Sequence, residues 1–449
     1  MIPQALSSYP ETSSFLSDLS VRIAAQPFNL FALIIFACAI LHTFFAPTIK
    51  TFARSLGRGH KRAVGKTFRY EIVQFLGEVE VVFGFWTIPL LIGMAAHFGF
   101  DATRAFVGDL HFSEPLFIAV VMCIAATAPV SALFEWLVNQ VARPFGGSVQ
   151  ALWASALTIG PWLGSFITEP AAIAMTAVFL MRTFYSQNPP VALRYVTLAL
   201  LFVNTSLGGI ITSFAGHAIV IVAEKWGWNT TYMLTHFGWR AALLILFNTC
   251  AMSFLFRHHF RGLKRRKLKH KRLTWWVSLV HILLLTWVLV NPTYPALFIG
   301  GFFLFLAFYR ATKPHQEEIN LRAPLLVCFF LGGLIVHVSL QGWWIEPLLS
   351  RLGRYELMSM ASILTAFNDN ATVTTLGKLA GELSQVARHA VVFGAACGGG
   401  LTLMANAPNP VAQSLLSRHF AGGIVSPWRI FIAALPLSIV AWVFFALSL

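Results

Sequence analysis

The chain has 449 residues, 57% of them hydrophobic and only 11% charged. Apolar runs near twenty residues recur along it, which excludes a soluble globular domain and describes a polytopic α-helical membrane protein. The formal charge of +15 would suggest nucleic acid in a soluble protein, but here Lys and Arg gather in a few loops, where they orient a chain in a membrane, so no nucleic-acid partner is expected.

Residues 1–26 form a polar, Ser-rich tail with no basic cluster before the first apolar run, so no cleavable signal peptide is expected. Within it, 13–26 fits a short interfacial helix. A first span at 27–47 leads into a basic loop carrying Lys50, Arg54, Arg58, Lys61, Arg62, Lys66 and Arg69. Spans follow at 72–98 and 116–141, and the loop between them holds Asp101, Asp109 and Glu114 against Arg104. Residues 150–186 differ: two apolar arms, each too short to cross the hydrocarbon core, flank a polar break at 165–170, the pattern of a re-entrant hairpin. Next, 191–226 reads as a span interrupted at 204–212. Irregular backbone at that depth is tolerated only where protein or a water-filled cavity covers it. The span 238–256 ends in RHHFRGLKRRKLKHKR, residues 257–272, which contains no acidic residue and suits a cytoplasmic loop on anionic headgroups.

The second half repeats this order, with spans at 274–290, 295–309 and 323–345, a hairpin at 355–377, a broken span at 389–416 and a last span at 428–448. The expected organisation is therefore a tail (1–26), a first repeat (27–256), a basic linker (257–273) and a second repeat (274–449). It amounts to about ten transmembrane helices and two re-entrant hairpins. The repeats share motifs. ITEPAAIAMTAVFL and LGGIITSFAGHAIVIVA, from Ile167 and Leu207, align with FNDNATVTTLG at 367–377 and CGGGLTLMANAPNPVA at 397–412. Glu169 then falls on Asp369, and Gly208, Gly209 and Thr212 on Gly398, Gly399 and Thr402. With both basic loops in the cytoplasm, four crossings separate them. The first repeat then starts outside and the second inside, so the repeats are inverted and both termini face outward. Paired polar breaks in an inverted repeat mark the binding site of a secondary transporter.

The residue types at those breaks favour a cation. A bare half-helix N-terminus suits an anion, but Glu169 and Asp369 each place a negative charge there. A hard cation wants carboxylate, amide, hydroxyl and carbonyl oxygens. Glu169 with Thr168, and Asp369 with Asn368, Asn370 and Thr372, offer that set. Gly208, Gly209, Gly398 and Gly399 let the chain unwind, and Asn204, Thr212, Thr402 and Asn406 add oxygens. Helix capping in ordinary loops would use the same residue types, but two copies with GGxxT at a similar distance downstream argue against it. Glu78, Glu80 and His217 are the candidate proton carriers, since an ionisable group in hydrocarbon normally faces a cavity or a partner. On a regular helix Glu78 and Glu80 would point about 200° apart, so at most one would face the site. Cys38, Cys123, Cys250, Cys328 and Cys397 all lie in apolar spans without metal-ligand spacing, which predicts no disulfide, metal site or resident cofactor. No GxxxxGK[ST], HExxH or GxSxG occurs, which argues against a primary pump or a common hydrolase.

FNDNATVTTLG with GGGLTLMANAPNPVA resembles the hairpin and broken-helix pair of the ion transporter superfamily of arsenite, dicarboxylate/sodium and sodium/proton transporters. ITEPAA, GEVEVVFGFW and NTSLGGIITSFAGHAIVIVAEKWGWNTTYMLTHFGWRAA are similar to the family named "putative Na⁺/H⁺ antiporter" within it, over about 70–445. The resemblance implies an elevator-type fold and a homodimer. The dicarboxylate branch carries a neutral Ser-Asn-Thr at the hairpin tip, where this chain has Thr168-Glu169-Pro170 and Asn368-Asp369-Asn370, a departure that favours a cation. The expected function is monovalent cation/proton antiport in the inner membrane, Na⁺/H⁺ foremost, with lipid and a small cation as the partners. The alternatives are an anion or carboxylate symporter of the same fold, and a non-transport membrane protein such as an assembly factor or intramembrane enzyme.

Overall fold

The computed structural model describes residues 14–449 other than 58–67, 111, 266–274, 314–317, 320, 350 and 380–382. Most of the basic residues expected in loop 48–69, and those of the linker from Arg266 on, lie outside the described residues. The described residues are helical throughout, with no strand.

The first helix, Phe15–Ala25, starts at a capping box in which Ser14 and Ser17 satisfy each other's backbone N–H groups. Its buried Asp18 pairs with Arg351 at 2.6 Å, and Arg22 Nη1 donates to the Trp343 carbonyl at 2.7 Å. The expected interfacial helix is thus pinned to the far half of the chain.

Among the described residues, four helices are long and apolar enough to cross a membrane: Phe28–Ala46, Val191–Gly208, Thr230–Leu255 and Pro427–Ala446. Two bent pairs, Phe100–Asp109 with Ser113–Ala125 and Pro324–Val338 with Gly342–Leu349, raise the number to six. These spans describe a polytopic membrane protein, fewer by this measure than the roughly ten that hydropathy predicts. Part of the difference is length, since Trp275–Leu289 and Pro295–Ala311 are apolar but shorter, and part comes from breaks that hydropathy does not see. The expected span 72–98 is a helix Phe68–Leu76, a single turn Val79–Val81 and a helix Val82–Phe98. The expected span 116–141 divides into Ser113–Ala125 and Ala128–Ala142, with Pro129 in the first turn of the second piece. Proline starts a helix well and is poorly placed inside one.

Two helix–break–helix units occupy the centre. Val149–Ile167 and Glu169–Thr183 are separated by Thr168 alone and pack on each other. Arg354–Phe367 and Asn370–Leu379 flank Asn368 and Asp369 but diverge. Arg354–Phe367 packs along Gln385–Gly398, and Asn370–Leu379 packs on His217–Trp226. Beside each unit lies a helix interrupted by irregular chain, Val191–Gly208 before His217–Trp226 and Gln385–Gly398 before Asn409–Leu416.

One internal proline explains a buried polar residue. Pro161 has no N–H for the Leu157 carbonyl one turn back. Asn204 Nδ2 donates to that carbonyl at 2.9 Å and to Thr249 Oγ1 at 3.0 Å. Replacing Asn204 with Ala leaves the carbonyl unpaired in the interior, and the expected loss is about 1–3 kcal/mol. Thermal unfolding in detergent should show it. In a Pro161→Ala background, where the helix supplies its own N–H, the same replacement should cost measurably less.

Candidate functional site

Both breaks bring a carboxylate into the interior. Glu169 is the first residue of its helix and is 4% exposed; Asp369 caps Asn370–Leu379 and is 9% exposed. An acidic residue at a helix N-terminus is locally favourable because unpaired N–H groups point at it. Asp369 uses this fully. Its Oδ2 accepts from Ala371 N–H at 3.1 Å and its Oδ1 from Ala407 N–H at 2.9 Å. The same strand of chain is held in return, because Asn370 N–H donates to the Ala405 carbonyl at 3.1 Å.

Glu169 is held by less. Its Oε2 accepts from Asn406 Nδ2 at 3.1 Å. Neighbouring residues 406 and 407 therefore hold the carboxylates of both units, so the second broken helix is where the two tips meet. Glu114, in the first turn of Ser113–Ala125, places a third negative charge within electrostatic reach of both Glu169 and Asp369.

The tips carry further signs of a built site. Thr168 has φ +80°, a backbone conformation that is unfavourable for a β-branched residue and costs about 1–3 kcal/mol. Thr168 Oγ1 and Asn368 Oδ1, which occupy the same place in the two units, are both buried without a hydrogen-bond partner among the described residues. Buried oxygens are seldom left so, and each calls for an explanation.

The threonines of the two GGxxT motifs do matching work. Thr212 Oγ1 donates to the Ser165 carbonyl at 2.7 Å, and Thr402 Oγ1 to the Ala366 carbonyl at 2.6 Å. Each ties a broken helix to the last turn before a tip. Gly208 and Gly398 allow close approach, since a Cβ at either would strike backbone, the Pro161 carbonyl or the Ser362 carbonyl. Gly399 leaves room for Ser206.

The other expected site residues are placed as follows. Asn204 lies inside a regular helix with its amide nitrogen committed to Leu157 and Thr249, away from the irregular segment. Asn370 is buried at the second tip and Thr372 follows it, half-buried, in the first turn of that helix. Glu78 and Glu80 do not sit on a regular helix; they flank and occupy the turn Val79–Val81. Glu78 Oε2 accepts from Lys50 Nζ at 2.7 Å, and Arg322 lies 4.0 Å from its other oxygen. Glu80 is buried, and the charges that act on it are Glu78, Lys50 and Arg322. These two acids thus belong to a cluster with the helices Phe28–Gly57 and Arg322–Val338, near the end where the basic loop begins. His217 begins a helix, and its side chain lies outside the described residues.

Three contributors escaped sequence reasoning. Glu114 read as a loop acid, although an acidic residue opening an apolar run was a usable signal. The Ala407 N–H is backbone and has no sequence signal. Thr374 donates to the Ala218 carbonyl at 3.0 Å and so joins the two halves, a partner that its place in FNDNATVTTLG does not reveal.

No curated protein sequence matches this chain. A family model does, over residues 27–448 and hence almost end to end. With two buried carboxylates brought together at paired helix breaks in an all-helical membrane protein, the chain belongs to the family described as "Putative Na⁺/H⁺ antiporter".

Proposed function

We propose that this protein exchanges a monovalent cation, Na⁺ foremost, for protons across the inner membrane. Membership in a cation/proton antiporter family gives the general activity. The observation that supports the specific reading is the convergence of Glu169 and Asp369 on residues 406 and 407. Two negative charges in one dry site repel an anion and attract a cation. A proton and a cation compete for the same carboxylate oxygens, and that competition is sufficient for exchange.

The oxygens open to a cation in this reading are those of the Glu169 carboxylate and the unpartnered oxygens of Thr168 and Asn368, with the charge of Asp369 beside them. The site sits where two inverted repeats cross. What supports the repeat is the matched pair of Thr212 and Thr402 contacts and one further bond. In the register that puts Gly208 on Gly398, Ser206 falls on Ala396, and Ser206 Oγ donates to the Ala396 carbonyl at 2.9 Å. Equivalent residues meet each other only at the axis that relates two repeats.

Reconstituted into proteoliposomes, the unsubstituted protein should move protons when Na⁺ or Li⁺ is added. Glu169→Gln and Asp369→Asn should each lower that rate at least tenfold while the protein still inserts and elutes as a folded species. The apparent cation affinity of the unsubstituted protein should weaken as pH falls, because protonation fills the oxygens that the cation needs. Movement of organic acids in place of protons, with either variant fully active, would sink the antiport reading. Orientation is tested separately. A single cysteine at Arg265 in a background lacking the native five should resist an impermeant thiol reagent in intact cells, because dense Lys and Arg stay inside. Labelling there would invert the topology.

A further inference from the structure

The two half-sites are equivalent in sequence but not in hydrogen bonding. At the second break the protein supplies its own donors. Asp369 receives two backbone N–H groups, from Ala371 and Ala407. The Gly399 carbonyl receives Asn409 Nδ2 at 2.8 Å. At the first break these needs are met only in part, by one side-chain amide on Glu169. The residue that aligns with Asn409 is Ile219, which has no donor to offer. The Gly209 carbonyl, equivalent to that of Gly399, meets no donor among the described residues. Glu169 makes a hydrogen bond through Oε2, and Oε1 meets no donor among the described residues.

These two oxygens border the same gap at Gly216. The Glu169 carboxylate fills the space that a side chain at Gly209 would occupy, so Oε1 lies against that residue. At Gly216, across the same gap, the position where a Cβ would stand is 2.7 Å from Glu169 Oε1 and 2.9 Å from the Gly209 carbonyl oxygen. A carboxylate oxygen and a carbonyl oxygen thus converge on one small space, kept clear by two glycines. Two acceptors brought together without a donor repel, and in a water-poor interior the repulsion is strong. A bare cation bound by both relieves it, and the mixed set of carboxylate and carbonyl oxygen is one that a hard cation takes.

From this we infer that the transported cation is seated on the first half-site, with Glu169 Oε1 and the Gly209 carbonyl as its primary ligands, while Asp369 is a fixed helix cap that orients the second tip and adds charge without direct ligation. The inference rests on the antiport reading and divides the labour within it. Gly209 and Gly216 are then specificity-determining, because they set how closely the two oxygens can approach.

Calorimetric titration of the purified full chain with NaCl, LiCl and KCl separates the roles. The fixed charges that face Glu169 are Asp369 and Glu114, so all titrations are made at one pH and one ionic strength. Glu169→Gln and Gly209→Ala should each weaken Na⁺ binding more than tenfold. Asp369→Asn, whose amide oxygen can still accept one of the two N–H groups, should weaken it less than threefold but lower the unfolding temperature more than Glu169→Gln does. Should Gly209→Ala fail to fold, Glu169→Asp, which withdraws the carboxylate by one methylene, makes the same test. The opposite order, with Asp369→Asn losing binding while Glu169→Gln and Glu169→Asp retain it, overturns the assignment and leaves antiport standing. No cation binding by the unsubstituted protein would remove both.

Discussion

Two carboxylates held out of water within one small region are the constraint on which the rest of this structure depends. An isolated acid in a low-dielectric interior costs several kcal/mol, and two near each other cost more. Such a site persists only if the surrounding chain is built to hold it. The features around Glu169 and Asp369 follow from that need. Each acid begins or caps a helix, at the positive end of the helix dipole, and Asp369 also accepts the Ala371 N–H of its helix. The second broken helix runs between the tips and offers the Asn406 amide to one acid and the Ala407 N–H to the other. Glycines at the crossing points bring backbone against backbone, and Thr212 and Thr402 fasten each interrupted helix to its neighbour.

The packing around this centre serves to keep it dry and in register. The residues of Glu169–Thr183 and Gln385–Gly398 nearest the breaks are almost all buried, and the irregular segment 399–408 is buried along its length. Irregular backbone at that depth must find its partners within the protein. Asn409, for example, donates to the carbonyls of both Gly399 and Thr402. Buried polar atoms without a partner among the described residues occur at several places, and two of them, the Thr168 hydroxyl and the Asn368 amide oxygen, stand at the tips. The matching position of these two, one residue before each acid, fits a cation that visits.

Much of this was legible in the sequence, for identifiable physical reasons. The breaks at Thr168 and at Asn368–Asp369 showed because polar residues and proline interrupt apolar runs that are otherwise uniform. The glycine-rich gaps showed for the same reason, and because they recur at matching distances. What stayed hidden depends on partners far apart in the chain. Nothing local to Asn204 reveals that Pro161 has freed the Leu157 carbonyl that its amide nitrogen serves. Glu78 and Glu80 are candidate proton carriers because a carboxylate in an apolar span needs a cavity or a partner, and the sequence does not say which. The chain turns at Val79–Val81 and hands Glu78 to Lys50. Ala407 contributes through its backbone, so no choice of side chain could announce it. The difference between the half-sites was visible only in part: Ile219 against Asn409 is a plain substitution, but its meaning needs the Gly399 carbonyl that Asn409 serves.

The central claim is that cation and proton exclude one another at these buried acids. Titrating Na⁺ into the purified protein in weakly buffered solution, with a pH indicator present, tests this without a membrane. The account predicts that protons appear in solution as Na⁺ binds, saturating with the binding isotherm, and that Glu169→Gln releases markedly fewer. Saturable Na⁺ binding with no proton release at any pH between about 6 and 9, near the ordinary working range of such exchange, would contradict it.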